Sequence, residues 1–139
     1  MRFKSASLES QFRLRLHPAV RAIARELDAY LEARGWHEVV VTHALRTEAQ
    51  MAKIYGEGWR RKGKWSWHLV GRAVDIRNRH WTPRQRRDIM AFLRYGWPDA
   101  EVIMHDIGRG DHLHIAVPPP RARIKRLRRF LTRLRGAKR

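Results

Sequence analysis

The segment SWHLVGRAVD, residues 66–75, decides how the rest of this chain is arranged. It places His68 and Asp75 seven positions apart, with Gly71 between them. Histidine and aspartate are common metal-ligating residues, and a glycine permits a tight turn between two such ligands. The β-branched residues at the end of the segment predict a strand over residues 72–78. The segment therefore predicts a turn that carries a histidine, followed by a strand that carries an aspartate.

Side chains alternate between the two faces of this predicted strand. Val74 and Ile76 share one face, which we assign to the core. Ala73 and Asp75 share the opposite, open face, where the small Ala73 side chain leaves space for a bound ion.

A second segment, DHLH at residues 111–114, begins a further predicted strand over residues 112–117. His112, His114 and Ala116 share one face of that strand. If the two strands are neighbours in a sheet, Asp75 and His114 converge. His68 would approach the same point from the preceding loop.

The chain has no cysteine, so any metal must be held by histidine and carboxylate. Two imidazoles and one carboxylate, from His68, His114 and Asp75, suit a single Zn²⁺ ion and leave a fourth position for water, as catalytic zinc sites do. A general base would then take a proton from that water. Asp111 and His112 are both candidates for this base.

The pattern Ser66-x-His68-x-x-Gly71-x-Ala73-x-Asp75, followed by Asp111-x-x-His114 and His112-x-His114, resembles the zinc D,D-carboxypeptidase and L-alanyl-D-glutamate peptidase family. Leu16-His17-Pro18 and Leu45-Arg46-Thr47-x-x-x-Gln50 are also similar to that family, so the resemblance covers roughly residues 15–117. Five fixed positions at set spacing make the first motif specific, whereas the HxH pair alone would be weak.

The resemblance implies roles for individual residues. His68, Asp75 and His114 would be the zinc ligands. Arg46 would polarise the scissile carbonyl and stabilise the oxyanion, and Ser66 would support the site. Family members with an acidic residue three positions before the last ligand use it as the base, which favours Asp111.

Three further side chains are candidates for the surroundings of the site. Strand parity favours His112 near the metal, as an electrostatic helper to Asp111. His105 precedes Asp106 on the strand before the site and is a candidate for contact with the metal ligands or their neighbours. Trp67 lies between two motif residues, where it would either line a substrate cleft or pack in the core.

The pattern of the remaining elements predicts an α+β fold: a small antiparallel sheet with helices packed on one side, which the resemblance makes hedgehog-like (the D,D-peptidase fold). Apolar spacing predicts a helix over residues 18–34. Capping boxes begin helices at Thr47 and Thr82. Strands are expected over residues 37–43 and 101–104. Residues 1–118 form the predicted peptidase domain, and residues 119–139 form a cationic amphipathic tail.

The charge is strongly positive, with 31 Lys and Arg against 13 Asp and Glu and a net charge of +18. Such a field implies an anionic partner. We expect the partners to be peptidoglycan stem peptides at the site and an anionic envelope surface, either lipopolysaccharide or lipid, at the basic tail. No nucleic acid is expected, and the protein is predicted to be a monomer.

The start of the chain lacks the apolar region of a signal peptide. We therefore expect synthesis in the cytoplasm and action on the cell wall after release, as for a phage or prophage endolysin. The resemblance implies hydrolysis of an L-Ala–D-Glu, D-Ala–D-Ala or crosslink bond, a choice that the sequence leaves open. The alternatives are a basic nucleic-acid-binding protein or nuclease, and a metal-bearing module that binds the wall without catalysis.

Overall fold

The computed structural model describes residues 1–105 and 111–120. The basic tail predicted from residue 119 onward lies almost wholly outside these residues. The described elements comprise four α-helices and five strands, with one 3-10 turn before the third strand: β1 Arg2–Phe3, α1 Ala6–Arg15, α2 Pro18–Glu32, β2 Val40–His43, α3 Glu48–Tyr55, the turn Trp67–Val70, β3 Ala73–Arg77, α4 Pro83–Gly96, β4 Glu101–His105 and β5 His112–Ala116.

The helices predicted from capping signals begin where the sequence places them. Thr47 and Thr82 each accept a hydrogen bond from the backbone of a glutamine three residues on, and each glutamine side chain accepts one from the threonine backbone. At the start of α2, the His17 side chain accepts from the Ala19 backbone, and Pro18 occupies the first helical position. These contacts satisfy backbone N–H groups that have no partner within a helix.

Two elements were not predicted, namely β1 and α1. Helix α1 buries only Leu8 and Phe12 and leaves Leu14 exposed, so its apolar residues form no broad stripe. Its start is instead set by Ser5, whose hydroxyl accepts from the Leu8 backbone. A short helix held by a cap and two buried side chains gives little periodic signal.

The sheet has the strand order β1-β2-β3-β5-β4 and is mixed. β1 pairs with β2 in parallel, whereas the other neighbours are antiparallel. The prediction of an antiparallel sheet is therefore wrong at its β1 edge. The physical reason is that helices α1 and α2 form a crossover between β1 and β2, which returns the chain to the sheet in the same direction.

One face of the sheet carries the core. Val74 and Ile76 of β3, with Leu113 and Ile115 of β5, are fully buried there, as strand parity predicts. They join the buried side chains of helices α1, α2 and α4 in one cluster. Met51 of α3 is also buried but does not belong to that cluster. The opposite face of β3 and β5 is left to the polar side chains of the candidate site.

Gly71 joins the 3-10 turn to β3, and two separate constraints favour glycine at this position. Its φ of +67° lies in the left-handed region. A Cβ at this position would also stand 2.7 Å from the carbonyl oxygen of Arg15. The Gly71 carbonyl accepts a hydrogen bond from the His17 backbone, so the junction between α1 and α2 packs directly on this turn.

We expect the substitution Gly71→Ala to destabilise the protein by more than Gly35→Ala. Gly35 has a similar φ of +63°, but a Cβ added there would meet no atom within 4 Å, so its substitution measures the conformational cost alone. That cost is about 1–2 kcal/mol, and the clash at Gly71 should add about 1–3 kcal/mol. Urea unfolding of the two variants measures the difference in the free energy of unfolding. Equal losses would contradict the role of the Arg15 contact.

Candidate metal centre

The side chains of His68, Asp75 and His114 meet on the open face of the sheet. One ligand atom from each lies within 4.8 Å of the others. Asp75 Oδ1 is 3.2 Å from His68 Nε2 and 2.9 Å from His114 Nδ1. The predicted convergence of these three residues is thus present, and the β3–β5 register that pairs Asp75 with His114 produces it.

The turn that carries His68 is held at both ends. The Ser66 hydroxyl accepts a hydrogen bond from the His68 backbone at 3.3 Å. The His68 ring is buried, and its Nδ1 lies 2.6 Å from the Ala44 carbonyl oxygen. A proton on Nδ1 donates to that carbonyl. Nε2 faces Asp75, to which it donates a hydrogen bond when it carries a proton, and the same atom can bind a metal ion when it does not. Such a backbone contact orients a metal-ligating histidine and selects its tautomer.

Asp75 is buried, with 6% of its surface exposed. Burial alone would favour the neutral carboxyl, but hydrogen bonds from His114 and His68 outweigh this effect and hold the pKa of Asp75 well below its usual value. Thr42 of β2 also donates a hydrogen bond to the Asp75 backbone carbonyl, at 3.2 Å. Asp75 is therefore an ionised carboxylate in a fixed position, as a metal ligand must be.

The donor set and its spacing fit a tetrahedral ion. Nitrogen and oxygen ligands of Zn²⁺ bind at about 2.0–2.2 Å, so two ligands of one tetrahedral ion are about 3.3–3.6 Å apart. The separations of Asp75 Oδ1 from the two histidine nitrogens, 3.2 and 2.9 Å, lie just below this range. The two imidazoles and the carboxylate would therefore move slightly apart to hold a metal ion.

His112 lies beside this group, as parity predicts for a residue two positions before His114. Its Nε2 is 3.7 Å from Asp75 Oδ1. The His105 ring packs on the His112 ring with centroids 4.5 Å apart. Asn78 donates a hydrogen bond to the His105 carbonyl at 2.9 Å and so ties the end of β4 to the end of β3. His105 therefore contacts the neighbour of a candidate ligand rather than the candidate ligands themselves.

Asp111 takes a different position from His112. It directly precedes β5 and is partly buried, and its Oδ1 has no hydrogen-bond partner among the described residues. It belongs neither to the group of converging ligand atoms nor to the lining of the adjacent cleft. The structure thus places His112, and not Asp111, on the wall of the cleft.

Arg46 joins the turn of His68 from the segment after β2. Its backbone N–H donates to the His68 carbonyl at 3.1 Å, and its Nη1 lies 3.5 Å from the Ser66 hydroxyl. Its Nε is buried and lacks a hydrogen-bond partner in the part of the chain that the structure describes. Ser66 therefore supports both the histidine and the arginine, and the guanidinium retains donors for a ligand.

A cleft of about 490 Å³ opens over the three converging side chains. Trp67 lines it and packs edge-to-face against Trp65, with ring centroids 6.2 Å apart, so Trp67 belongs to the cleft rather than to the main core. The remaining lining comes from both sides of the site: Arg46, Tyr55, Ser66, Glu101, Ile103, His105 and His112.

Sequence reasoning missed His43, Tyr55, Glu101 and Ile103 as residues of this neighbourhood. His43 ends β2 opposite Asp75, and its ring meets the His68 ring with centroids 5.8 Å apart. Burial lowers the pKa of His43, an effect that the Asp75 carboxylate only partly offsets. The position of His43 at the end of a strand was visible in the sequence, but the irregular β2–β3 register that brings it to Asp75 was not.

Comparisons with protein-family models, curated proteins and solved structures found no match for this chain. None of the helices in residues 1–105 and 111–120 is both long and apolar enough to cross a membrane.

We expect zinc to stabilise the protein and the substitution Asp75→Asn to remove that effect. Zinc at about 100 times its dissociation constant should raise the free energy of unfolding by about 2.7 kcal/mol. The asparagine keeps the shape of Asp75 but loses its negative charge, so zinc should bind far more weakly. Calorimetric titration and thermal unfolding with and without zinc measure both effects.

Asp88→Asn in helix α4 is the matched control, because Asp88 is not among the converging side chains. This control should retain the full stabilisation by zinc. Equal zinc affinity of the Asp75→Asn variant and the parent protein would exclude Asp75 as a ligand.

Proposed function

We propose that this protein is a zinc-dependent peptidase that hydrolyses the peptide stem of bacterial peptidoglycan. The observation that carries the proposal is the meeting of His68, Asp75 and His114 beneath an open cleft, with Arg46 at its side. Those four residues stand in the sequence pattern that resembles the zinc D,D-carboxypeptidase and L-alanyl-D-glutamate peptidase family. Residue spacing and side-chain geometry together support the hydrolase better than either does alone.

The fold family of the described structure is also part of our proposal. The described chain is an α+β protein with a mixed five-stranded sheet. The candidate metal ligands lie on the sheet face opposite the core, on two antiparallel neighbouring strands and the turn before one of them. We propose that this arrangement is the hedgehog-like fold of the D,D-peptidases.

The chain would hold one zinc ion through His68 Nε2, His114 Nδ1 and an oxygen of Asp75. Bound zinc supplies a Lewis acid that lowers the pKa of water to about 7. Arg46 donates hydrogen bonds to the carbonyl oxygen of the scissile peptide bond and stabilises the negative charge that develops there. Its position on the cleft wall suits this task.

We assign the general base to Asp111 and a supporting electrostatic role to His112. Asp111 lies three residues before the candidate ligand His114, and its Oδ1 has no hydrogen-bond partner among the described residues, a costly feature that functional sites often retain. As the base, Asp111 would have to turn from its present position towards the cleft. His112 stands 3.7 Å from Asp75 and faces the cleft, where it can donate a hydrogen bond to the reacting groups.

The setting that we propose is wall lysis by a phage or prophage endolysin. The net charge of +18 favours association with an anionic envelope. Ten of the 31 Lys and Arg residues fall in residues 121–139, and we propose that this segment binds lipopolysaccharide or anionic lipid.

Digestion of purified peptidoglycan with the zinc-loaded protein tests the proposal. We expect new peptide termini in the digest, and mass spectrometry of the released fragments identifies the bond that is cut. The Asp75→Asn variant and the chelator-treated protein should release nothing. Zinc binding without any digestion would favour a non-catalytic wall-binding module, and cleavage of nucleic acid in a parallel assay would favour a nuclease.

The substitutions Asp111→Asn and His112→Ala, compared at equal zinc occupancy, test the assignment of the base. Loss of a general base lowers kcat by about 100- to 10,000-fold. We expect that loss in Asp111→Asn and a smaller one in His112→Ala. The pH dependence of kcat should lose its acidic limb only in the variant that lacks the base. The reverse order would transfer the role to His112.

A further inference from the structure

A second cleft, of about 530 Å³, lies next to the metal cleft. We call it the loop cleft, because the segment between α3 and the 3-10 turn supplies half of its lining residues. Arg46 and Trp65 line both clefts, so the two are separated by single side chains. A chain bound at the candidate metal centre can therefore continue into the loop cleft.

The loop cleft is rimmed by cations. Arg46, Arg60 and Lys64 line it, and Glu48 is the one acidic side chain among its lining residues. The Glu48 carboxylate already contacts Arg60. The Lys64 ammonium lies 5.9 Å from the centre of the Tyr55 ring and forms no ion pair with a carboxylate of the described residues. The net field in this cleft therefore favours an anion.

The same cleft offers apolar surface to a ligand. Trp65 is 57% exposed and Val70 is 52% exposed, although both are large apolar side chains. Leu69 adjoins them, and the buried Trp59 forms part of the wall beneath. Exposed apolar side chains grouped at a concave surface are typical of a binding site.

We infer that the loop cleft binds a carboxylate-bearing segment of the peptide, adjacent to the bond that is cut. The aliphatic part of that segment lies against Trp65 and Val70, and its carboxylate lies at Lys64, while Arg46 remains at the scissile carbonyl. This inference rests on the proposed function, which it deepens by assigning a substrate charge to a defined surface. It also gives Lys64 a role in substrate selection that the family resemblance did not.

The observations favour a peptide over a nucleic acid as the occupant. An extended peptide advances about 3.3–3.6 Å per residue, so a short peptide can pass from one cleft to the other at the side chains that line both, Arg46 and Trp65. Nucleic acid without sequence preference is bound instead by aromatic platforms repeated along a basic groove. Among the described residues, the loop cleft presents one strongly exposed indole, that of Trp65.

The test compares two synthetic peptides on the zinc-loaded full chain. The first is L-alanyl-γ-D-glutamyl-L-lysyl-D-alanine with its D-glutamyl carboxylate free, and the second carries an amide at that carboxylate. Stopped-flow tryptophan fluorescence records binding before any turnover, and steady-state assays record KM and kcat. We expect the parent protein to bind the acid about fivefold more tightly than the amide, as for one partly exposed ion pair.

The variant Lys64→Glu should lose this preference through a higher KM for the acid, with kcat unchanged, and Lys64→Gln should lose part of it. Arg87→Glu makes the same change in net charge on the exposed side of helix α4 and should retain the full preference. A preference that persists in Lys64→Glu, or that falls equally in Arg87→Glu, overturns the inference. So does displacement of the bound acid peptide by a thymidine decanucleotide at equal concentration.

These measurements distinguish a failure of the proposed function from a failure of the loop-cleft assignment. If the parent protein binds the acid peptide with this preference but hydrolyses neither peptide and releases no fragments from purified peptidoglycan, the proposed function fails and the binding assignment stands. If both peptides are hydrolysed and Lys64→Glu leaves their ratio unchanged, the assignment of the loop cleft fails and the proposed function stands.

Discussion

The buried carboxylate of Asp75 is the constraint on which the arrangement of this protein depends. Removing a carboxylate from water is costly unless hydrogen bonds or opposite charges compensate. In the described part of the chain, Asp75 is the one buried acidic side chain, and His68 and His114 supply that compensation. The three side chains therefore stabilise one another, and a cation that replaces their shared protons would do the same with greater strength.

Three separate segments must meet for that compensation to occur. β5 supplies His114 through its register with β3, and the 3-10 turn supplies His68. The segment after β2 supplies the Ala44 carbonyl, which orients the His68 ring, and Arg46, whose backbone bonds to His68. Gly71 allows the turn to pack against the Arg15 carbonyl at the junction of the first two helices. The site is thus coupled to the core through backbone contacts. A substitution at Gly71 therefore shifts the candidate ligands although the residue at position 71 does not contact them.

Positive and negative charges lie in different parts of this region. Basic side chains line the clefts and attract anions, whereas the Asp75 carboxylate is buried at the candidate metal centre. Arg46 lines both clefts, Arg60 and Lys64 line the loop cleft, and His105 and His112 line the cleft over the candidate metal centre. Cations at a rim raise the local concentration of an anionic ligand and accelerate its encounter with a site. In the function that we propose, these cations would act on association and the buried group on metal binding, so the two features could change independently.

The sequence by itself determined the parts of this protein that depend on local spacing. Capping residues placed α3 and α4, period-two alternation assigned Val74 and Ile76 to the core and Asp75 to the open face, and the spacing of residues 66–75 with His114 identified the three converging side chains. The tertiary structure alone decided what depends on long-range pairing. The α1–α2 crossover made the sheet mixed, and an irregular register brought His43 to Asp75. The tertiary structure also placed His112 rather than Asp111 at the cleft. Finally, it made Arg46 and Trp65 line two adjacent clefts. The physical reason is that alternation and capping are properties of neighbouring residues, whereas strand order and cleft walls arise from contacts between segments far apart in the chain, which leave no period in the sequence.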